Sequence, residues 1–72
     1  MHSIEVFSTN LVSMNAAMEL KQLLRSVDND FNIHFDLEDC DRIMRIKGAN
    51  VPNEKIIELA ATVDVCCKVL PD

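Results

Sequence analysis

A chain of 72 residues is one small domain, residues 1–72, and it carries a formal net charge of −5 with no tryptophan and no tyrosine. Hydrophobic residues make up 49% of it, too many for a disordered tail. The acidic balance and the scattered Lys and Arg exclude a nucleic-acid partner, and a core this small gains from dimerisation or a ligand.

Ser3 to Thr9 predicts a strand, with Ile4 and Val6 on one face and Glu5 and Phe7 on the other. Asn10-Leu11-Val12 is a connection, and Ser13 or Asn10 can cap the helix that follows. That helix runs to about Val27. Ala16, Leu20, Leu23, Leu24 and Val27 form its apolar stripe, and Glu19, Lys21, Gln22 and Arg25 face water. Asp28-Asn29-Asp30 is a turn.

Strict alternation then marks a hairpin. Phe31, Ile33, Phe35 and Leu37 alternate with Asn32, His34, Asp36 and Glu38, and Met44 and Ile46 follow between Arg45 and Lys47. A two-residue turn at Cys40-Asp41 pairs Leu37 with Met44, Phe35 with Ile46, Asp39 with Arg42 and Asp36 with Arg45. The same register sets His34 opposite Lys47 and places Phe35 under both helices, near Leu20 and Ala60.

Gly48 ends the hairpin. Pro52 opens a second helix, with Asn50 or Asn53 as cap and Ile56, Leu59, Ala60 and Val63 as its apolar stripe. Asp64 stops it. Val65 to Leu70 is a last strand, with Val65, Cys67 and Val69 on one face and Cys66, Lys68 and Leu70 on the other; Pro71 ends it. The order strand, helix, strand, strand, helix, strand predicts an α+β ferredoxin-like βαββαβ sandwich. Its four-stranded antiparallel sheet has strands one and three at the centre and both helices on one face.

No stretch approaches the ~20 apolar residues of a membrane span. The N-terminus lacks the basic and apolar regions of a signal peptide, so a cytoplasmic chain is the expectation. Three cysteines, two of them adjacent, point to reduced thiols rather than a disulfide framework.

No complete catalytic motif stands in the chain, so no enzyme and no cofactor are expected. Ser13 has no histidine partner nearby in sequence. His2 and His34 read as surface imidazoles. Asp36, Glu38, Asp39 and Asp41 lack the spacing of a calcium loop. Cys40, between Asp39 and Asp41, is an ordinary exposed thiol, and Met14 and Met18 lie one helical turn apart.

The first loop, Leu11-Val12-Ser13-Met14-Asn15-Ala16, occupies the place of the Met-x-Cys-x-x-Cys loop of heavy-metal-associated domains, the copper chaperone and metal-ATPase type. Ala17 to Leu24 resembles that family's first helix, and Pro52 to Leu59 its second. The resemblance implies the ferredoxin-like fold over nearly the whole chain. It does not carry over the ligands. Leu11 stands at the Met, Ser13 at the first Cys and Ala16 at the second, and neither a hydroxyl nor a methyl replaces a thiolate for a soft ion. Metal at this loop is therefore not expected.

Two functional expectations follow. The first is a non-catalytic protein-interaction module on this scaffold, binding a protein partner or itself as a homodimer. Its surface is the open sheet face, where Phe7, Ile43, Cys66 and Leu70 are expected to form an apolar patch rimmed by Glu38, Arg45 and Lys68. The second is a soft-metal carrier, for copper or zinc, using Cys66, Cys67 or the methionines. Adjacent strand residues face opposite ways, which sets Cys67 toward the helices and Cys66 away from them.

Overall fold

The computed structural model describes residues 3–70; His2 and Pro71 lie outside that range. The elements are β1 (Ser3–Thr9), α1 (Met14–Arg25), β2 (Asn32–Asp36), β3 (Ile43–Gly48), α2 (Asn53–Ala61) and β4 (Cys67–Val69). The sheet runs β2-β3-β1-β4, with every neighbouring pair antiparallel. This is the ferredoxin-like order, with β1 and β3 at the centre.

Both helices lie on one face of the sheet, because each carries one apolar stripe that must leave water. α1 buries Ala17, Leu20 and Leu24, and α2 buries Ile56 and Ala60. They close over Phe7, Ile33, Met44 and Ile46 to form one cluster that also takes in Leu11, Phe31, Val65 and Cys67. No polar or charged residue is buried among the described residues.

The strand faces of β1 differ from the sequence expectation. Phe7 lies across from Met44 on β3 and Val69 on β4, faces the helices and is fully buried. Ile4 and Val6 alternate to the open side, and Ile4 is 54% exposed. Phe7 shares its face with Ser3, Glu5 and Thr9, whereas Ile4 and Val6 form the more apolar alternant, so alternation alone points the wrong way in β1. The aromatic ring removes more apolar area from water than either aliphatic side chain, and it takes the inner side.

The hairpin register also differs, by two residues. Phe35 pairs with Met44, Ile33 with Ile46, His34 with Arg45 and Asp36 with Ile43. An even shift keeps every side chain on its face, which is why the apolar pattern could not detect it. The connection is six residues, Leu37 to Arg42, rather than two. Asp39 Oδ1 accepts the Asp41 N–H at 2.9 Å, and the Asp39 carbonyl accepts the Arg42 N–H at 3.0 Å. Arg42 takes a left-handed φ of 47°. β1 grips this loop from the side: the Thr9 N–H donates to the Asp41 carbonyl at 3.0 Å and the Thr9 hydroxyl to the Arg42 carbonyl at 2.6 Å. Asp39 and Arg42 are thus ends of a turn, not a cross-strand ion pair. Phe35 sits half-buried on the edge strand, and Phe7 holds the fully buried position on a central one.

Helix ends follow local chemistry. Ser13 is the N-cap of α1. At the start of α2, Pro52 occupies the cap position and supplies no side-chain bond; its carbonyl accepts the Ile56 N–H at 3.0 Å. Neither Asn50 nor Asn53 caps this helix, and Asn53 Oδ1 is buried without a hydrogen-bond partner. Asp64 leaves α2 in the left-handed region, at φ 63°, and turns the chain into Val65, whose N–H returns to the Ala60 carbonyl at 2.9 Å.

Candidate functional site

The first loop is built from both ends. Leu11 is 2% exposed and roots the loop in the core, and its N–H donates to the Thr9 hydroxyl at 3.2 Å. Ser13 has extended backbone, φ −147°, and its Oγ accepts the Ala16 N–H at 3.2 Å. The hydroxyl thereby satisfies one of the free donors of the first helical turn. Ala16 lies half-buried against the core. The three positions compared with a metal loop therefore hold a core residue, a helix cap and a packed methyl. Beside them Val12, Met14 and Met18 are 80%, 56% and 47% exposed.

A contact absent from any sequence pattern joins this loop to the far end of the chain. The Cys66 N–H donates to Asn10 Oδ1 at 2.9 Å, across 56 positions. Cys66 thus stands next to the first loop. It also lines, with Cys67, Ile57, Ala61, Asp64, Val65 and Lys68, an open cleft of about 410 Å³ between α2 and β4.

The two adjacent cysteines have different environments, as strand alternation implies. Cys66 is exposed and Cys67 is buried. Burial pushes the Cys67 thiol up to about 11, with the neighbouring Cys66 adding to the rise. At neutral pH Cys67 is a neutral thiol, the form that packs as a small hydrophobe and is a poor metal ligand or nucleophile.

Asp39, Cys40 and Asp41 bring their ligand atoms within 4.8 Å of one another, all of them exposed. The hydrogen bonds of the β2–β3 turn account for that closeness.

The expected open-face patch does not assemble. Phe7 is in the core, Ile43 faces away from the helices but is only 5% exposed, Leu70 is half-buried, and Cys66 belongs to the cleft at the β4 edge. The open face shows Ile4 and Val6 instead. Val6 lies across from Arg45 and Ile4 across from Lys47.

These elements, their order and their single helical layer define a ferredoxin-like domain with a heavy-metal-associated-like fold. The chain is similar to the yeast copper transporter domain CCC2A, whose solution structure covers apo and Cu(I)-loaded states. The two superpose with a TM-score of 0.79 over 96% of each chain, at 14% sequence identity. That likeness is one of fold. No family model and no curated protein matches the chain. No helix of the described residues is long and apolar enough to cross a membrane.

Proposed function

We propose that the chain is a non-catalytic protein-interaction module on a heavy-metal-associated-like scaffold. One observation carries the reading: the loop positions that resemblance compares with the Met and two Cys ligands are Leu11, Ser13 and Ala16. They are occupied by core packing, helix capping and a methyl contact. A hydroxyl held in a cap and a packed methyl offer no thiolate at the two positions compared with cysteines. Three unpaired cysteines suit a reducing compartment, and the cytoplasm is part of this proposal.

Native mass spectrometry of the reduced protein, titrated with copper(I) and with zinc, tests it. The parent is expected to bind neither stoichiometrically at micromolar protein. The double variant Ser13→Cys with Ala16→Cys is expected to bind one copper(I), because it restores two thiolates on one loop. Tight stoichiometric copper(I) binding by the parent would overturn the reading.

A second reading, a soft-metal carrier, draws on two observations. CCC2A was solved with Cu(I), and Cys66 is exposed beside Asn10, in the loop that leads into α1, whose first two turns carry the exposed Met14 and Met18. In that case Cys66→Ser abolishes copper(I) binding. Cys67→Ser leaves it intact, since the Cys67 thiol is protonated at neutral pH.

A further inference from the structure

The open sheet face carries a charge opposite to that of the chain. Its exposed cations are Arg45 and Lys47 on β3 and Lys68 on β4, and His34 and Asn32 are exposed beside them on β2. The cross-strand neighbours of Arg45 are Val6 and His34, and those of Lys47 are Ile4 and Asn32. Neither cation has a carboxylate directly across from it. Asp36, diagonal to Arg45 and opposite Ile43, is the acidic residue of this face among the strand positions. The whole chain is −5, so the helical side and the loops are more acidic still. Between the cations runs an apolar strip, with Ile4 54% exposed and Val6 half-buried.

We infer that the open sheet face docks an acidic protein segment bearing apolar side chains, which set against Ile4 and Val6 while its carboxylates meet Arg45, Lys47 and Lys68. The inference rests on the interaction-module reading and names the partner chemistry. Charge selects the occupant. A second copy laid face to face would oppose these cations with their own counterparts, which costs rather than gains. A long phosphate polyanion would meet the acidic remainder of the surface as well as the basic face. A short acidic segment meets the face alone. An apolar strip rimmed by charge is the ordinary anatomy of a protein interface. Strand spacing makes the face roughly 300 Å², well below the ~800 Å² per partner of a standard interface, so the complex is weak and salt-dependent.

The test is an NMR titration of the intact chain at neutral pH with a synthetic twelve-residue peptide alternating Glu and Val. Amide shifts are expected at Ile4, Val6, Arg45, Lys47 and Lys68 and not along α1 or α2. Binding is expected to weaken at least tenfold in 0.5 M salt, and at least tenfold in Arg45→Glu with Lys47→Glu. Arg45→Gln with Lys47→Gln, which removes both charges without reversing them, is expected to fall between. An alternating Glu–Ser peptide should bind more weakly than the Glu–Val one. Shifts confined to the helices, or affinity unchanged by charge reversal in a variant with a native-like spectrum, would overturn the inference. So would equal or tighter binding to phosphatidylserine vesicles or to duplex DNA, or parent dimerisation through this face in sedimentation. Failure here leaves the copper(I) titration unaffected, so the two proposals fail separately.

Discussion

The two faces of the sheet use the same strands to opposite ends. Toward the helices, Phe7, Ile33, Met44 and Ile46 are 0 to 4% exposed and belong to one buried apolar cluster. Away from them, Ile4 and Val6 share their positions across the ladder with Lys47 and Arg45. One face holds the domain together, and the other contributes little to stability and is free to take a partner. In so small a domain, where total stability is of order 4–11 kcal/mol, that division is sharp: a single inner side chain matters more than the whole outer strip.

The sharpest way to break this contrast is Phe7→Ala. It should cost about 3–5 kcal/mol and leave the chain largely unfolded, as read by far-UV circular dichroism in a urea titration. A loss under about 1 kcal/mol would mean that β1 presents its other face inward. Gly48→Ala should come next. A Cβ there would lie 2.8 Å from Cδ1 of the Phe31 ring, so the ring must move. The cost should be about 1–3 kcal/mol in the same titration.

On β4 the inner face holds a titratable group. The folded pKa of Cys67 is raised to about 11 from an ordinary 9.0, so the folded state holds that proton more tightly than the unfolded chain. Its contribution is fully present below about pH 9 and is lost as pH rises toward 11. Urea midpoints at pH 8 and pH 10.5 should therefore fall further in the parent than in Cys67→Val. A thiol reagent at pH 8 should modify Cys40 and Cys66 quickly and Cys67 only on unfolding. The smallest effect belongs to the outer face. Ile4→Asn should shift stability by no more than about 0.5 kcal/mol. A larger loss would show that the open strip is part of the core.

How far the sequence discloses this arrangement varies with the local signal. In β2, apolar Ile33 and Phe35 alternate with polar Asn32, His34 and Asp36, and the inward face follows directly. In β1 Phe7 shares its face with Glu5, so the alternation favours Ile4 and Val6 as the inner pair, and the burial of Phe7 is decided only once the helices are in place. Strand order follows from the element sequence. The hairpin register does not, because hydrogen bonds from Thr9 hold the six-residue connection, and a turn so supported has no two-residue signature. The Ser13 cap is local and legible. The Asn10–Cys66 bond joins residues 56 apart and leaves no trace in spacing or composition, so the nearness of Cys66 to the first loop emerges only from the fold.

β1 is made first during synthesis, yet both strands that flank it are made much later. Ser3 waits for Gly48, and Thr9 waits for Cys67. At ordinary elongation rates the delay is on the order of seconds, long compared with the microseconds in which α1 can form. For that time Ile4, Val6 and Phe7 belong to a strand without a ladder. The nascent chain therefore cannot complete its sheet in the order it is made. The last strand to emerge finishes the pairing of the first, and until then the β1 segment is the part of the chain that most needs shelter from its neighbours on the polysome.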